Sequence, residues 1–159
     1  MLDSIKQKLK QINLIEATQY KKAGVLILLL KEDKDAEYKI VFTKRSTKLK
    51  THSGEVSFPG GKWEEADNSL YETALRESNE EINLNIENVT KLGNLNFLLS
   101  RHKIEVNPYV GYLNKFQEFE GNFEIDKIFT VPISFLSDSK NVTYKEFNRK
   151  DLKVYIPSW

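Results

Sequence analysis

The segment RESNEEINL, residues 76–84, crowds three carboxylates into five residues. On an α-helix Glu77 lies three positions before Glu80 and four before Glu81, so the three side chains share one flank. Each like-charge pair costs a few tenths of a kcal/mol, and the helix dipole disfavours each anion in the last turn by roughly 0.3–1 kcal/mol. A divalent cation would offset this repulsion, and Mg²⁺ prefers oxygen ligands. A metal site is therefore one of two interpretations of this segment.

The same segment is also compatible with a solvated acidic helix face, on which Arg76 and Glu80 form an ordinary ion pair. The stretch FPGGK, residues 58–62, favours the metal site. Gly60 and Gly61 allow the backbone to turn sharply and to approach an ion closely, and the carbonyl of Gly61 would add an oxygen ligand. A plain turn is the alternative for the glycines alone, but the glycine pair and the acidic helix together favour one common site.

The helix that carries the carboxylates has a predicted beginning and end. Ser69, followed three residues later by Glu72, forms a capping box, so the helix begins there and runs to about Ile82. Asn83 tolerates the left-handed conformation that ends a helix. Helical spacing turns one set of side chains inward, namely Tyr71, Leu75, Ser78 and Ile82.

The rest of the chain is rich in strand patterns. An apolar run predicts a first strand at 24–31, buried on both faces, and alternation predicts a second at 38–45. Further strands are expected within 89–100, 103–113 and 124–138, where Pro132 opens a short helix, and a last hairpin at 142–147 and 152–157. The N-terminus predicts an amphipathic helix over about 3–15, with Ile5, Leu9, Ile12 and Leu14 or Ile15 toward the protein. This order predicts an α/β sandwich around a mixed β-sheet.

The bulk composition suits one domain spanning residues 1–159 and narrows the partners. The formal net charge is +1, from 24 basic and 23 acidic residues, which gives no attraction to nucleic acid or to an acidic membrane surface. Cysteine is absent, which excludes disulfides and thiolate metal sites. The apolar run at 23–30 is too short to span a bilayer, and the N-terminus lacks the apolar core of a signal peptide. We expect a cytoplasmic protein.

Residues 61–84 resemble the Nudix box, which reads G, five residues, E, seven residues, then R-E-U-x-E-E-x-G-U with U apolar. Three departures are present. Asp67 stands in place of the first Glu, with a gap to Arg76 that is one residue longer, Ser78 replaces an apolar residue, and Asn83 replaces the late glycine. The positions that match are Gly61, Arg76, Glu77, Glu80, Glu81 and Leu84. The resemblance implies a Nudix-type α/β/α sandwich and hydrolysis of a nucleoside diphosphate linked to another moiety, with Mg²⁺ or Mn²⁺.

The stretch FTKRSTKLKTHSGEVSFPGGK, residues 42–62, resembles the signature that precedes the box in coenzyme A diphosphatases. The matching positions are Thr43, Lys44, Arg45, Ser46, Leu49, His52, Gly54, Glu55, Phe58, Pro59, Gly60 and Gly61. The resemblance implies coenzyme A or a derivative as substrate, with 3′,5′-ADP and 4′-phosphopantetheine as products. Members of this subgroup usually continue beyond the last hairpin into a segment with a Trp-Gly pair and a closing helix, which the printed sequence does not contain.

The resemblance also implies roles for single residues. The expected metal ligands are Gly61 through its carbonyl, Glu77, Glu80 and Glu81, and the expected catalytic residues are Glu77, Glu80 and Arg76, which orients the glutamates. The general base is a box glutamate or comes from a later loop, where the candidates are Glu118, Glu120 and Glu124. The expected substrate contacts are Lys44, Arg45, His52 and Gly60. A solvated strand end is the alternative for the two basic residues, and a loop-bracing role is the alternative for His52.

Two other functions stay open at this point. One is a Nudix hydrolase that acts on ADP-ribose, dinucleoside polyphosphates or (d)NTPs. The other is a binding or regulatory module without activity, which would be expected to lose the glutamates that are present here. A homodimer is among the expected assemblies.

Overall fold

The computed structural model describes residues 1–34, 36–49, 53–149 and 152–158 of the chain. His52, one of the predicted substrate contacts, lies outside the described residues.

A mixed β-sheet is built around strand β1 (Lys21–Leu30). On one side β1 pairs in parallel with β7 (Ile104–Leu113). Its other edge is shared by two antiparallel partners, β2 (Lys39–Arg45) near the end of β1 and β4 (Gly60–Lys62) near its beginning. The mixed sheet and the α/β class are as predicted, and the glycine pair lies directly beside the central strand.

The remaining strands extend this sheet or stand apart from it. Strand order in the sheet is β3-β2-β1-β7-β5. Strand β8 also pairs with β2, and β6 also pairs with β7. Strands β9 and β10 pair with each other as a separate hairpin. Their bounds are β3 Val56–Ser57, β5 Val89–Asn94, β6 Leu98–Leu99, β8 Ile125–Pro132, β9 Thr143–Arg149 and β10 Leu152–Ser158. The strands expected within 89–100, 103–113 and 124–138 and the last hairpin are confirmed.

Strand β1 is apolar on both faces because each face meets a different layer. Leu26, Leu28 and Leu30 are buried in the cluster that includes Ala74 and Ile82, on the side of the acidic helix. On the opposite side lies a second cluster of Leu29, Leu92 and Val110, which receives the N-terminal helix. A continuous apolar run is what a strand with two covered faces requires.

Helix α2 (Leu70–Ile82) carries the predicted carboxylates and has the predicted ends. The Ser69 hydroxyl accepts a hydrogen bond from the Glu72 backbone N–H at 3.2 Å, and Asn83 has φ 52° and ψ 41° in the left-handed region. Ser78 and Ile82 are buried, and the other two residues of the predicted inward face pack against the core. The capping box therefore fixes where the carboxylates fall along the helix.

Gly24 allows α2 to lie very close to β1. A Cβ atom at Gly24 would lie 2.1 Å from the Leu70 carbonyl oxygen and 3.1 Å from the Ala74 nitrogen. No side chain fits at this distance, so glycine is required for the contact. The close approach holds the helix above the strand edge where β4 pairs.

Helix α1 (Leu2–Lys10) is shorter than the predicted helix. Leu2, Ile5 and Leu9 pack on the sheet, but Leu14 and Ile15 are exposed, so the prediction that one of them faces the protein is wrong. The chain there is held by side-chain hydrogen bonds instead, since the Ile15 N–H donates to Asn96 Oδ1 and Asn96 Nδ2 donates to the Asn13 carbonyl. Within the described ranges no helix is both long and apolar enough to cross a membrane. A five-residue helix, α3 (Ile133–Ser137), follows Pro132 as expected.

Candidate active site

Arg76 is fixed to the loop that precedes α2 by a buried carboxylate. Its Nε lies 2.9 Å from Asp67 Oδ1 and its Nη2 lies 3.0 Å from Asp67 Oδ2, a bidentate pair. Asp67 is only 8% exposed and also accepts hydrogen bonds from the Thr73 hydroxyl and the Glu64 backbone N–H. The Arg76 hydrogen bonds, with those two donors, hold the pKa of Asp67 far below its usual range. The guanidinium is thereby locked in one orientation.

The remaining hydrogen-bond donors of Arg76 contact helix α2 and strand β4. Nη1 lies 3.1 Å from Glu77 Oε1 and 3.3 Å from Glu80 Oε1, and Nη2 donates to the Lys62 carbonyl at 3.1 Å. Arg76 therefore connects the loop, β4 and two of the predicted metal ligands. These contacts are the ones that the predicted orienting role requires.

Glu77 lies directly against the backbone of Gly61. A Cβ atom at Gly61 would fall 2.4 Å from the carboxylate carbon of Glu77. Burial raises the pKa of Glu77 above its usual value, although Arg76 opposes the shift. Only glycine leaves room for this carboxylate beside the strand, which explains the spacing of glycine and glutamate in the sequence.

Glu81 is the most deeply buried of the three carboxylates. Its residue is 6% exposed, and its Oε2 accepts a hydrogen bond from the Gly60 backbone N–H at 3.0 Å. Gly60 donates this bond from a backbone with φ 141°, a conformation that favours glycine. Burial raises the pKa of Glu81 to about 7. A buried carboxylate with few donors gains much from a cation.

Glu80 differs from its two neighbours because it points outward. Its side chain is 55% exposed, compared with 20% for Glu77 and 8% for Glu81. In the described part of the chain no three acidic or histidine side chains are gathered closely enough to hold a metal ion by themselves. The local oxygens nevertheless fit a hard cation that takes few carboxylates and completes its shell with carbonyls, waters and phosphates.

Arg45, a predicted substrate contact, is engaged with carboxylates instead of standing free. Its Nη2 lies 2.8 Å from Glu124 Oε2 and its Nη1 lies 3.6 Å from Glu81 Oε1. The Nε atom of Arg45 is buried and has no hydrogen-bond partner among the described residues. Lys44, the neighbouring basic residue, is exposed. The structure thus places Arg45 among the clustered carboxylates Glu81 and Glu124, and it leaves Lys44 outside this cluster.

Glu124 is the only one of the three base candidates that the described contacts join to the helix carboxylates. It shares Arg45 with Glu81, while Glu118 and Glu120 are exposed on the loop before it. Sequence reasoning did not choose among the three, because nothing local shows which one folds back toward the helix.

Asn122 attaches a later turn to the end of α2, a contact that sequence reasoning missed. Its backbone N–H donates to the Glu81 carbonyl at 3.2 Å, and its side-chain Nδ2 donates to the Glu80 carbonyl at 3.0 Å. These bonds satisfy carbonyls at the end of α2 that have no partner within the helix. The Gly-Asn pair at 121–122 is a turn signal, but its attachment to the helix is visible only in three dimensions.

Comparisons with known proteins place the chain in a family. The NUDIX domain family matches residues 20–146. The chain is 44% identical over 122 residues to "Nudix hydrolase 15, mitochondrial" of Arabidopsis thaliana, covering 74% of this chain and 42% of that protein. It is 36% identical over 126 residues to "Peroxisomal coenzyme A diphosphatase ndx-8" of Caenorhabditis elegans, covering 77% of this chain and 53% of that protein. It therefore spans about half the length of these curated relatives.

The fold agrees with solved structures of the same family. A crystal structure of a Nudix hydrolase from M. smegmatis, RenU, superposes with a TM-score of 0.62 at 13% identity and covers 74% of each chain. At this identity the likeness concerns the fold alone. The sequence match and the fold lead to one conclusion: the chain belongs to the Nudix hydrolase family.

Proposed function

We propose that the protein hydrolyses a diphosphate bond in a nucleoside-diphosphate-linked substrate, and that the substrate is coenzyme A or a derivative. The products would be 3′,5′-ADP and 4′-phosphopantetheine. The observation that carries the proposal is the placement of two carboxylates, the partly buried Glu77 and the buried Glu81, against the backbone of Gly61 and Gly60. Burying these charged groups lowers the stability of the fold, and a role in holding a cation explains why they are nevertheless present.

The residues that would hold Mg²⁺ or Mn²⁺ are Glu77, Glu81 and Glu80, with the Gly61 carbonyl. When bound, the ion neutralises diphosphate charge and makes a water more acidic. Arg76 keeps Glu77 in place, because the same guanidinium is locked onto Asp67. A carboxylate that is already oriented does not have to be ordered when the substrate binds, which lowers the barrier.

A general base in this arrangement is a box glutamate or Glu124. Glu124 is held 2.8 Å from Arg45, and Arg45 also faces Glu81. When the substrate phosphate binds, it competes with these carboxylates for the guanidinium of Arg45. Such an exchange would release Glu124 to accept a proton from water while Arg45 neutralises the phosphate. Lys44, His52 and the Gly60 backbone stay proposed substrate contacts.

The coenzyme A assignment is supported by two features of the sequence. The signature at 42–62 resembles that of coenzyme A diphosphatases, and it ends in the glycine pair that contacts the carboxylates. One of the relatives described above is named a coenzyme A diphosphatase. The competing proposal is hydrolysis of ADP-ribose, dinucleoside polyphosphates or (d)NTPs by the same residues. A binding module without activity is disfavoured because it has no need of buried acidic groups.

A substrate panel tests the proposal. Purified protein with Mg²⁺ or Mn²⁺ is incubated with coenzyme A, ADP-ribose, diadenosine polyphosphates and dNTPs, and the phosphate-containing products are identified by mass. We expect 3′,5′-ADP and 4′-phosphopantetheine from coenzyme A at the highest kcat/KM. A clear preference for another substrate would overturn the coenzyme A assignment, and no turnover of any substrate would overturn hydrolysis itself.

A pair of variants tests the residues. Glu81→Gln should lower kcat by more than about a hundredfold, because it removes a charged ligand without changing shape. Glu87→Gln, an exposed glutamate beyond the helix, is the matched control and should keep wild-type kinetics. Wild-type activity in Glu81→Gln would remove this residue from the proposed site.

Location and assembly are also proposals. The cytoplasm is proposed from the composition, and microscopy of the tagged full-length protein in its own cells tests it. A homodimer is proposed from the family resemblance, and light scattering at several concentrations tests it.

A further inference from the structure

Phe123 is held in solvent at the tip of a braced turn. Among the described residues it is the most exposed large apolar one, with 83% of its surface accessible to solvent. The turn is closed by the Ile125 N–H donating to the Asn122 carbonyl at 3.1 Å. The Glu124 N–H donates to Asn122 Oδ1 at 2.8 Å, so the asparagine side chain also braces the turn from within. The exposure of Phe123 is therefore imposed by an ordered turn and not by a loose loop.

The same turn is fastened to the candidate active site on both sides of the ring. On one side Asn122 donates to the Glu80 and Glu81 carbonyls. On the other side the Glu124 carbonyl accepts from the Ser46 N–H at 2.7 Å, and the Glu124 carboxylate binds Arg45. Phe123 lies between these two attachments. Its backbone is thus set beside the end of α2 that carries the carboxylates.

An aromatic ring on such a support is suited to binding. In the free protein the exposed ring gains little from burial, since most of its apolar surface stays in water. A ligand that covers it recovers this surface at a low entropic cost, because the turn is already ordered and phenylalanine has only two side-chain torsions. Single exposed apolar residues are common on protein surfaces, so the attachment to the site is the decisive feature.

We propose that Phe123 forms an apolar subsite that packs against the group attached to the scissile diphosphate. This inference rests on the proposed hydrolysis and deepens it. The ligand surface is flat or apolar, and in coenzyme A two groups offer it: the adenine ring and the dimethyl-bearing pantetheine arm. Glu124 follows Phe123 in sequence and binds Arg45, so the Phe123 backbone lies next to the residue pair that a diphosphate at Arg45 would meet.

Steady-state kinetics of Phe123→Ala test the subsite. We expect KM for coenzyme A to rise about tenfold while kcat stays within about twofold, since the ring contributes binding and not chemistry. Phe135→Ala is the matched control, because Phe135 is also exposed (43%) but lies on α3. Phe123 is exposed, so the variant should keep its Tm within about 2 °C of the wild type. An unchanged KM in Phe123→Ala would overturn the proposal.

Two further variants separate the two ligand groups. Phe123→Trp keeps a flat surface for a base, and Phe123→Leu keeps only apolar bulk. If only Phe123→Trp keeps the wild-type KM, the ring contacts adenine. If both variants keep the wild-type KM, the ring contacts the pantetheine arm. With ADP-ribose, which has the base but not the arm, the KM of Phe123→Ala should rise only if adenine is the partner.

Binding and assembly measurements keep the subsite distinct from the proposed activity. If the wild type hydrolyses none of the diphosphates, calorimetric titration with coenzyme A decides the question. About tenfold weaker binding by Phe123→Ala supports the subsite although hydrolysis has failed. Equal binding, or no binding to the wild type, overturns it. If Phe123→Ala lowers the molar mass in light scattering and leaves KM unchanged, the ring belongs to an interface between copies, and the proposal is wrong.

Discussion

Two parallel hydrogen bonds join the guanidinium of Arg76 to the buried carboxylate of Asp67, at 2.9 and 3.0 Å. Asp67 occupies the position at which the Nudix box has its first glutamate, with one residue more before the arginine. The shorter side chain still reaches Arg76 because the loop from Lys62 to Asp67 is drawn close, with the Lys62 carbonyl also bound to the guanidinium. With this departure from the box Arg76 is still paired with a carboxylate, and the same guanidinium contacts Glu77.

Removing the Asp67 carboxylate should destabilise the protein. Asp67→Asn leaves the partly buried guanidinium of Arg76 without its main counter-ion, so the free energy of unfolding should fall by roughly 2–3 kcal/mol at neutral pH. Urea unfolding measures this change. Asp33→Asn, at an exposed position between β1 and β2, is the control and should change it by less than about 0.5 kcal/mol. A loss as small as that of the control would show that the pair does not stabilise the fold.

The pKa of Asp67 also predicts a pH dependence. Its pKa in the folded protein is well below the unfolded value of about 4, so the pair contributes fully above that value. The contribution is lost as the pH falls toward the folded pKa. Between pH 7 and pH 3 the wild type should therefore lose more stability than Asp67→Asn. Parallel urea curves at the two pH values test this, and identical losses in both proteins would contradict it.

Glu81→Gln should stabilise the metal-free protein at high pH. Burial raises the folded pKa of Glu81 to about 7, above the unfolded value of about 4.3, so the folded state holds its proton more tightly. Stability from this group is present below about pH 4 and is lost as the pH rises through 7. Without metal, the variant should exceed the wild type by roughly 1–3 kcal/mol at pH 8 and match it near pH 4.

Adding metal should reverse this order. At pH 8, Mg²⁺ should raise the Tm of the wild type more than that of Glu81→Gln, because the variant lacks one charged ligand. Scanning calorimetry with and without Mg²⁺ measures both effects. Equal Tm shifts in the two proteins would mean that Glu81 does not contact the ion.

Gly61→Ala should impair the site more than the fold. The new Cβ would lie 2.4 Å from the Glu77 carboxylate carbon, so this side chain must move, and side chains move more easily than backbone. We expect kcat to fall by more than about tenfold and the Mg²⁺ requirement to rise. Gly121→Ala is the milder comparison, because its Cβ would make a tight contact with Ile125 at 3.3 Å instead of overlapping a carboxylate. Activity of Gly61→Ala equal to that of Gly121→Ala would exclude tight contact between Gly61 and Glu77.

Glu105→Ala should release the segment that leads into β1. Glu105 is 1% exposed and accepts hydrogen bonds from the Thr18 N–H at 2.6 Å and the Thr18 hydroxyl at 2.7 Å. The variant leaves these donors without their acceptor, so stability should fall by roughly 2–4 kcal/mol. Hydrogen exchange should increase around Thr18 and remain unchanged in α2. An equal increase in both regions would show global unfolding instead of local release.

Features encoded by neighbouring residues were predictable from the sequence. The capping box at Ser69 and the left-handed residue at Asn83 fixed both ends of α2, because each depends on residues a few positions away. The apolar run of β1 and the alternation of β2 depend on the same short-range patterning. For helix α1 the pattern continued past Lys10, but hydrogen bonds to Asn96 hold the chain out of the helix.

Contacts between distant residues were not predictable in this way. Arg45 and Glu124 are 79 positions apart, and Asn122 and the Glu80 carbonyl are 42 apart. No local period relates such residues. The pairing of β8 with β2 brings Arg45 beside Glu124, and the turn before β8 brings Asn122 to the end of α2. The Asp67–Arg76 pair was visible as a departure from a pattern, but its burial and bidentate geometry depend on how the loop packs. The sequence therefore indicates which residues gather at the candidate site, but not the network of contacts that joins them.

Strand β4 is also anchored by the two residues that lead into it, because the Pro59 carbonyl accepts a hydrogen bond from the Leu26 N–H at 2.8 Å and the Phe58 ring stacks on Phe42. Three residue pairs join it to β1, and Gly60 binds Glu81. An engineer who exchanges the loop before β3 should therefore keep residues 58–62, because they hold the glycine pair against the helix carboxylates.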